Sequence, residues 1–520
     1  MFKYLKQHFL LVALVSILLL SNSFLQVYAA TQMAQLANFL IARKFTAFMT
    51  TLAFIFGIWL ITFVLTFIEG YLQELVTQQI VTSIRTDLVD SLSHLSTLEF
   101  QQKSVDYYES WLQNDVNLIR QQGINSLFVI IRFSGNAIFA LGALLNYSYL
   151  LFSIALILLI LIIAVPKLVK PFLTKGASEI SAANEKFLQV TSSALHGYET
   201  LSAFNALKEL VHLTKVGSQF VKRANVHNAC RQGEVGLVTG MINIGSQLVV
   251  LGVTGYLHFQ GVVSAGAILA TAELATKVFD SAGIINNNFA KMMSVTELFA
   301  KFKQIDAQTD NNEQQISLPN DQFESLEFRN VSFSYPNTKT DIIDNFSYKF
   351  TAGETYQLTG VSGRGKTTLF RLATKQLLPQ SGQILLNGID LCQLSREQIN
   401  RIIVAVPQNI TIFPESLDYN VTLGRELKTQ ALAKTKQTFG VNDNWQVESL
   451  SGGERQRLAL ARLVAVKDKL VLLDESFSSV DLPTSKVLLE AVLKQTDSVI
   501  LISHRQAEVA GLKLHTVSLD

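Results

Sequence analysis

At 520 residues the chain is too long for one hydrophobic core and fits roughly two to four domains. Hydrophobic residues make up 49% and charged ones only 16%, with a mean hydropathy of +0.29, which excludes an ordinary fully water-exposed protein and points to membrane-embedded segments. A formal charge of +2 without basic runs among aromatics excludes a nucleic-acid track, and Cys230 and Cys392 lack neighbours at ligand spacing, so neither a disulfide nor a zinc site is expected.

In chain order, six stretches are apolar enough to cross a bilayer, which takes about 20 residues: Phe9–Ala29, Leu52–Glu69, Leu127–Leu145, Tyr149–Val169, Val235–His258 and Val262–Ala282. Long polar, helix-favouring stretches separate the second from the third and the fourth from the fifth. The other joins are short, such as Leu145–Tyr149 and His258–Gly261. Lys3 and Lys6 precede the first span, and Lys175, Lys186, Lys208, Lys215, Lys222, Arg223 and Arg231 fill the fourth connection. The positive-inside rule places both on the cytosolic side, and an even number of spans returns the chain there. The first span, with its lysines and the small residues of Val27–Ala30, also matches a secretory signal, which the six-span reading retains as a span.

Ionisable residues inside spans are costly and mark functional positions. Glu69 closes the second span, and Glu273, Lys277 and Asp280 share one face of the sixth. That face is either a self-neutralising ion cluster or the lining of a cavity whose excess acid suits a cationic or zwitterionic amphiphile.

From about Phe323 the pattern changes to short apolar runs punctuated by Gly, Pro and Asn, as in an α/β domain. The polar stretch Gln304–Asn320 ahead of it is the expected linker. Glu354–Gly360 reads as a strand and Thr367–Leu377 as a helix, with GVSGRGKT between them. In that setting the pattern G-x-x-x-x-G-K-[ST] is a phosphate cradle: Gly360, Gly363 and Gly365 let backbone N–H groups face phosphate oxygens, and the helix N-terminus adds its dipole. The cradle comprises Gly360, Val361, Ser362, Gly363, Arg364, Gly365, Lys366, Thr367 and Thr368, with Lys366 reaching the phosphates and Thr367 a ligand for Mg²⁺. A second element, KLVLLDES at Lys469–Ser476, is a strand buried on both faces that ends in two acids. Asp474 can hold Mg²⁺ and Glu475 can polarise the attacking water. A third, LSGGERQRLALAR at Leu450–Arg462, opens a helix with Ser451, Gly452 and Gly453, a second anion-binding helix start in a chain that already has one.

With this third element the sequence resembles the ATP-binding cassette (ABC) transporters, in which the signature of one nucleotide domain closes over ATP held by the opposite domain. The resemblance implies further roles: Tyr335 stacks on adenine, Gln408 contacts Mg²⁺, Asp481 is the D-loop aspartate and His504 the switch histidine near the γ-phosphate. It covers nearly the whole chain and implies an α-helical six-span transmembrane domain of the exporter type (1–303), a linker (304–320) and an α/β P-loop ATPase domain (321–520). The sequence departs from the family pattern at Glu454, where Gln is usual, at Arg364 and at Phe477, none of which removes a phosphate or metal ligand.

The resemblance further implies ATP and Mg²⁺ as cofactors and a working dimer of half-transporters. Glu475, His504 and the LSGG stretch all present in one chain favour a homodimer, with a heterodimer left open. The expected setting is a bacterial cell membrane with both termini cytosolic and membrane lipid around the spans. The expected cargo of export is a hydrophobic or amphipathic small molecule, lipid or peptide; the alternatives are an importer on the exporter fold and a non-transporting membrane sensor. Coupling helices are expected near Ser104–Gln113 and His196–Asn205, and spans two to five should extend as helices beyond the bilayer.

Overall fold

In lipid the backbone must satisfy its own hydrogen bonds, so long apolar runs leave helix as the available form. The computed structural model describes residues 1–95, 99–100, 102–296, 298–300, 302, 318, 320–335, 341–361, 363–463, 466, 468–496, 498–503 and 513–519; at 165–178 and 181 only the backbone is described. The first half folds into α1 (Phe2–Gln7), α2 (Phe9–Ile41), α3 (Phe45–Ser93), α4 (Val105–Tyr147), α5 (Tyr149–His196), α6 (Tyr198–Ala203), α7 (Leu207–Phe259) and α8 (Ala267–Ser294). By length and composition α2, α3, α4 and α7 can each cross a membrane. The described side chains of α5 give a shorter apolar run, Tyr149–Ala164, and α8 carries Glu273, Lys277, Asp280 and Lys291 along its length.

Two apolar clusters hold these helices together. One joins Val15 and Leu19 of α2 to Val76, Ile80 and Ile84 of α3 and Ile119 and Phe128 of α4. The other joins Val27 and Ala30 to Ala140 and Leu144 of α4, Val250 of α7 and Leu274, Val278 and Phe279 of α8. Alanines at these contacts let helices approach closely, which is what drives association where apolar side chains gain nothing over lipid. Helix α2 runs unbroken through Val27–Ala30.

Two local expectations are corrected. The sixth span, α8, begins at Ala267, five residues after Val262, because Gly266 donates its N–H to Asn38 Oδ1 at 2.9 Å and packs so tightly that a Cβ there would lie 2.1 Å from the Ala34 carbonyl oxygen. Residues Val105–Ser110 open α4, which continues through π-helical turns at Trp111–Asp115 and Ile119–Ile124, and do not form a free-standing coupling helix. Between α5 and α7, α6 is a short separate helix within the expected stretch His196–Asn205.

The chain divides into two compact units, Met1–Ser93 with Val105–Asp306, and His94–Ser104 with Ala307–Asp520. The second unit contains β1 (Ser325–Phe333), β2 (Ile343–Thr351), β3 (Thr355–Thr359), α9 (Lys366–Ala373), β4 (Ser381–Leu386), β5 (Ile389–Asp390), α10 (Arg396–Ile402), β6 (Ile403–Val406), α11 (Leu417–Thr422), α12 (Thr429–Phe439), α13 (Gly452–Ala461), β7 (Leu470–Asp474), α14 (Leu482–Leu493), β8 (Ser498–Ile502) and β9 (His515–Ser518). Strands β2-β1-β4-β5 form an antiparallel sheet, and β6-β7-β8-β3-β9 a parallel one. Every residue of β7 and β8 is buried, which is why both read as continuous apolar runs. In such sheets ligands gather beyond the carboxyl ends of the strands, and that is where β3 delivers the glycine loop and β7 the acidic pair.

Candidate functional site

The loop between β3 and α9 turns on glycines with left-handed backbone: Gly363 has φ 84° and Gly365 φ 92°. At Gly365 a Cβ would also stand 2.9 Å from Ile342 Cγ2, so both conformation and space demand glycine there. Lys366 is buried, and its Nζ donates to the carbonyl oxygens of Gly360 at 2.7 Å and Val361 at 3.2 Å, which holds the ammonium across the mouth of the loop. Arg364 closes the turn with its N–H on the Val361 carbonyl at 3.2 Å. Thr367 and Thr368 follow Lys366 in the first turn of α9, whose N-cap is Gly365. Ser362 lies outside the described residues.

Asp474 ends β7 only 5% exposed, beside the Thr367 side chain, with its Oδ1 without a hydrogen-bond partner among the described residues. Burial raises its pKa above the usual carboxylate range, and Glu475 adds to this, while Thr367, Arg371 and Lys366 pull the other way. Glu475 stands in the left-handed region at φ 47°, unusual for a residue with a side chain, and its N–H donates to Ile502 O at 3.1 Å. Its carboxylate accepts from Gln408 Nε2 at 2.8 Å, so two residues 67 apart in sequence meet.

Tyr335 sits beside this cradle: its hydroxyl lies 3.4 Å from Thr368 Oγ1 and accepts from Arg371 Nη1 at 3.2 Å, and its ring stands edge-on to Phe333 at 5.1 Å. Ser451 caps α13 in a reciprocal box, with its N–H and hydroxyl on Glu454 Oε2 at 2.8 and 2.7 Å. These hydrogen bonds hold the Glu454 carboxyl below the usual range. Gly452 and Gly453 begin the helix against Ser479; a Cβ on Gly452 would lie 3.2 Å from the Ser479 Cβ. Asp481 caps α14 by accepting from Thr484 N and Oγ1 at 3.2 and 3.0 Å, which keeps its pKa low. His504 lies outside the described residues.

In the helical unit, Lys277 Nζ lies 3.6 Å from Glu273 Oε1, and Asp280 accepts from Asn243 of α7 at 2.8 Å. Sequence reading found Glu69 but not what surrounds it: fully buried, it accepts from Arg132 Nη2 of α4 at 2.7 Å and from Asn22 of α2 at 3.1 Å. The available signal was Arg132 itself, a basic residue within an apolar run. Arg132→Ala strips this carboxylate of its cation and is expected to cost about 3 kcal/mol, seen as a lower midpoint of thermal unfolding in detergent. Adding Glu69→Gln should recover most of the loss; a single variant as stable as the parent would show the pair to be dispensable.

A parallel sheet that presents a glycine loop with lysine after one strand and an acidic pair after its neighbour but one is the nucleotide-hydrolysing fold of P-loop ATPases. Residues 343–478 match the ABC transporter family, and residues 9–281 match the ABC transporter transmembrane region. The chain therefore belongs to the ABC transporter family, a multi-pass membrane protein that couples ATP hydrolysis to transport. It is 25% identical over 498 residues to a protein of Rickettsia bellii described as an export ATP-binding/permease protein, covering 85% of this chain and 80% of that one. It is 25% identical over 505 residues to an ATP-dependent lipid A-core flippase of Haemophilus influenzae, covering 89% and 82%. A bacterial Atm1-family ABC exporter with ATP bound shares the fold with a TM-score of 0.77 at 18% identity, covering 99% and 94%.

Proposed function

We propose that the chain is one half of a dimeric exporter for an amphipathic cargo, lipid included, with ATP bound at the seam between two cassettes. The observation that carries this is a hydrolytic pair, Gln408 hydrogen-bonded to Glu475, in the same domain as an intact Ser451–Gly453 helix start, so that one chain holds both halves of a composite site. The curated relatives include proteins named for export and for flipping a lipid, which supports the direction and the cargo class.

Mg²⁺ fits the residues present. The buried Asp474 oxygen, without a partner among the described residues and next to the Thr367 hydroxyl, is a place where a hydrated divalent cation relieves an uncompensated acceptor. When bound, the ion would neutralise charge on the β and γ phosphates. Lys366 and the loop N–H groups hold the phosphates, Tyr335 offers its ring to the base, and Glu475, aligned by Gln408, accepts the proton of the attacking water.

Helix α8, the expected sixth span, supports the dimer. The Glu273 side chain is 53% exposed, and within a span a carboxylate turned to lipid costs about 2.5–3.5 kcal/mol. Turned to a water-filled cavity between two subunits it costs far less. With Lys277 set against Glu273 and Asp280, this face keeps one net negative charge and favours a cargo with a cationic group.

In inside-out vesicles the reading predicts ATP-dependent accumulation of labelled cationic amphiphiles or lipids. Strong ATPase activity without accumulation across such a panel would instead identify a membrane sensor. Neutralising Glu273 and Asp280 together (Glu273→Gln, Asp280→Asn) should lower transport of a cationic amphiphile about tenfold or more while basal ATP hydrolysis persists; unchanged transport removes this face from the cargo path.

A further inference from the structure

The signature helix is tied at both ends to the segments that carry the hydrolytic pair. One turn into α13, Gln456 is 4% exposed and makes two hydrogen bonds to the turn after Glu475: its Nε2 donates to Ser478 Oγ at 3.0 Å, and its Oε1 accepts from Ser479 N at 2.9 Å. A buried amide satisfied at both atoms by one turn fixes that turn to the helix. At the other end, Arg462, the C-cap residue of α13, donates through Nε to Asn420 O and through Nη2 to Thr411 O, both at 2.8 Å. Thr411 stands three residues after Gln408, as Ser478 stands three after Glu475. Asn420 is fully buried and spans the same segment, accepting from Phe413 N and donating to the carbonyl oxygens of Phe413, Glu415 and Ser416.

The turn held by Gln456 carries two marks of a strained conformation. Glu475 has positive φ, and the Ser476 hydroxyl is buried without a partner among the described residues. Ser478 N and Val480 N close the turn on Glu475 O and Phe477 O, so Ser478 is hydrogen-bonded to the backbone of Glu475 itself. Gly452 and Gly453 begin the helix close against Ser479, where an added Cβ would come within 3.2 and 3.3 Å of it, so the helix start and the turn are packed together.

We propose that Gln456 and Arg462 are positioning residues which lash the signature helix to both flanks of the Gln408–Glu475 pair. A nucleotide gripped by Ser451–Gly453 for the partner subunit then sets the geometry of the chain's own hydrolytic site. The proposal rests on the dimeric reading above and adds the linkage between its two sites. Neither residue is expected to touch nucleotide; both act through the segments they hold.

The test compares the purified full-length chain in nanodiscs with Gln456→Met, which keeps the volume and removes both hydrogen bonds, and with Gln456→Glu, whose oxygens can still accept from Ser479 N and the Ser478 hydroxyl. ATP hydrolysis is followed against ATP concentration, and binding of a fluorescent ATP analogue is measured without Mg²⁺. The parent is expected to hydrolyse cooperatively. Gln456→Met should bind the analogue as the parent does, lose about tenfold in kcat and become non-cooperative, and Gln456→Glu should regain much of both. Ser478→Ala, which removes one of the two bonds, should fall between parent and Gln456→Met even if the methionine variant folds poorly. Parent-like kcat and cooperativity in Gln456→Met, or in Ser478→Ala should the methionine variant not fold, would overturn the linkage while leaving the dimer intact. A parent that hydrolyses ATP as a non-cooperative monomer would overturn the dimeric reading itself, and the linkage with it.

Discussion

Glu475→Gln is expected to slow ATP turnover at least about 100-fold while nucleotide binding persists. The carboxylate lies at the carboxyl end of β7 with Gln408 donating to one oxygen at 2.8 Å, so its orientation is fixed before substrate arrives. An amide of the same shape keeps the volume but cannot take a proton from water. The cradle, Gly360–Thr368, is untouched, so binding should remain close to that of the parent. A persistent ATP-bound dimer on size exclusion is the expected companion result. Turnover within threefold of the parent would mean that another group accepts the proton.

The second large effect is expected in the cradle itself. Gly365→Val places a β-branched residue at φ 92° with its Cβ 2.9 Å from Ile342 Cγ2 and 3.1 Å from the Ile342 carbonyl oxygen, so the loop must deform. Lys366→Ala leaves the loop its shape and removes its ammonium. Both should weaken ATP binding by about 100-fold or more, equivalent to roughly 2.7 kcal/mol, measured by equilibrium binding of a fluorescent analogue. The routes are distinguishable, because the thermal midpoint of the valine variant, whose loop must deform, should fall further than that of Lys366→Ala. Binding within fivefold of the parent in both variants would place the nucleotide elsewhere.

Elements whose chemistry is local were legible in the sequence. The strand, glycine loop and helix around Lys366 occupy consecutive residues, and the continuous apolar run of β7 announces a strand buried on both faces. The expected helix Thr367–Leu377 stops earlier, at Ala373, because Lys375 adopts a left-handed conformation. The long helices follow from hydropathy, but α8 extends to Ser294 through the polar stretch around Asn286–Asn288, which an apolar window passes over. What could not be read were contacts between distant segments: Glu69 with Arg132, Gln408 with Glu475, and Gln456 with Ser478. Each depends on how two elements pack, and no spacing within either one encodes it.

The lengths of α3, α5 and α7, at 49, 48 and 53 residues, have a mechanical consequence. At 1.5 Å of rise per residue each is a rod of roughly 70–80 Å, more than twice the hydrocarbon thickness of about 30 Å. Pivoting such a rod about its midpoint by ten degrees sweeps its tip through roughly 7 Å. A tilt that barely shifts a helix at its midpoint is therefore magnified at its ends, so in the dimeric exporter proposed above the length of these helices would itself act as a lever.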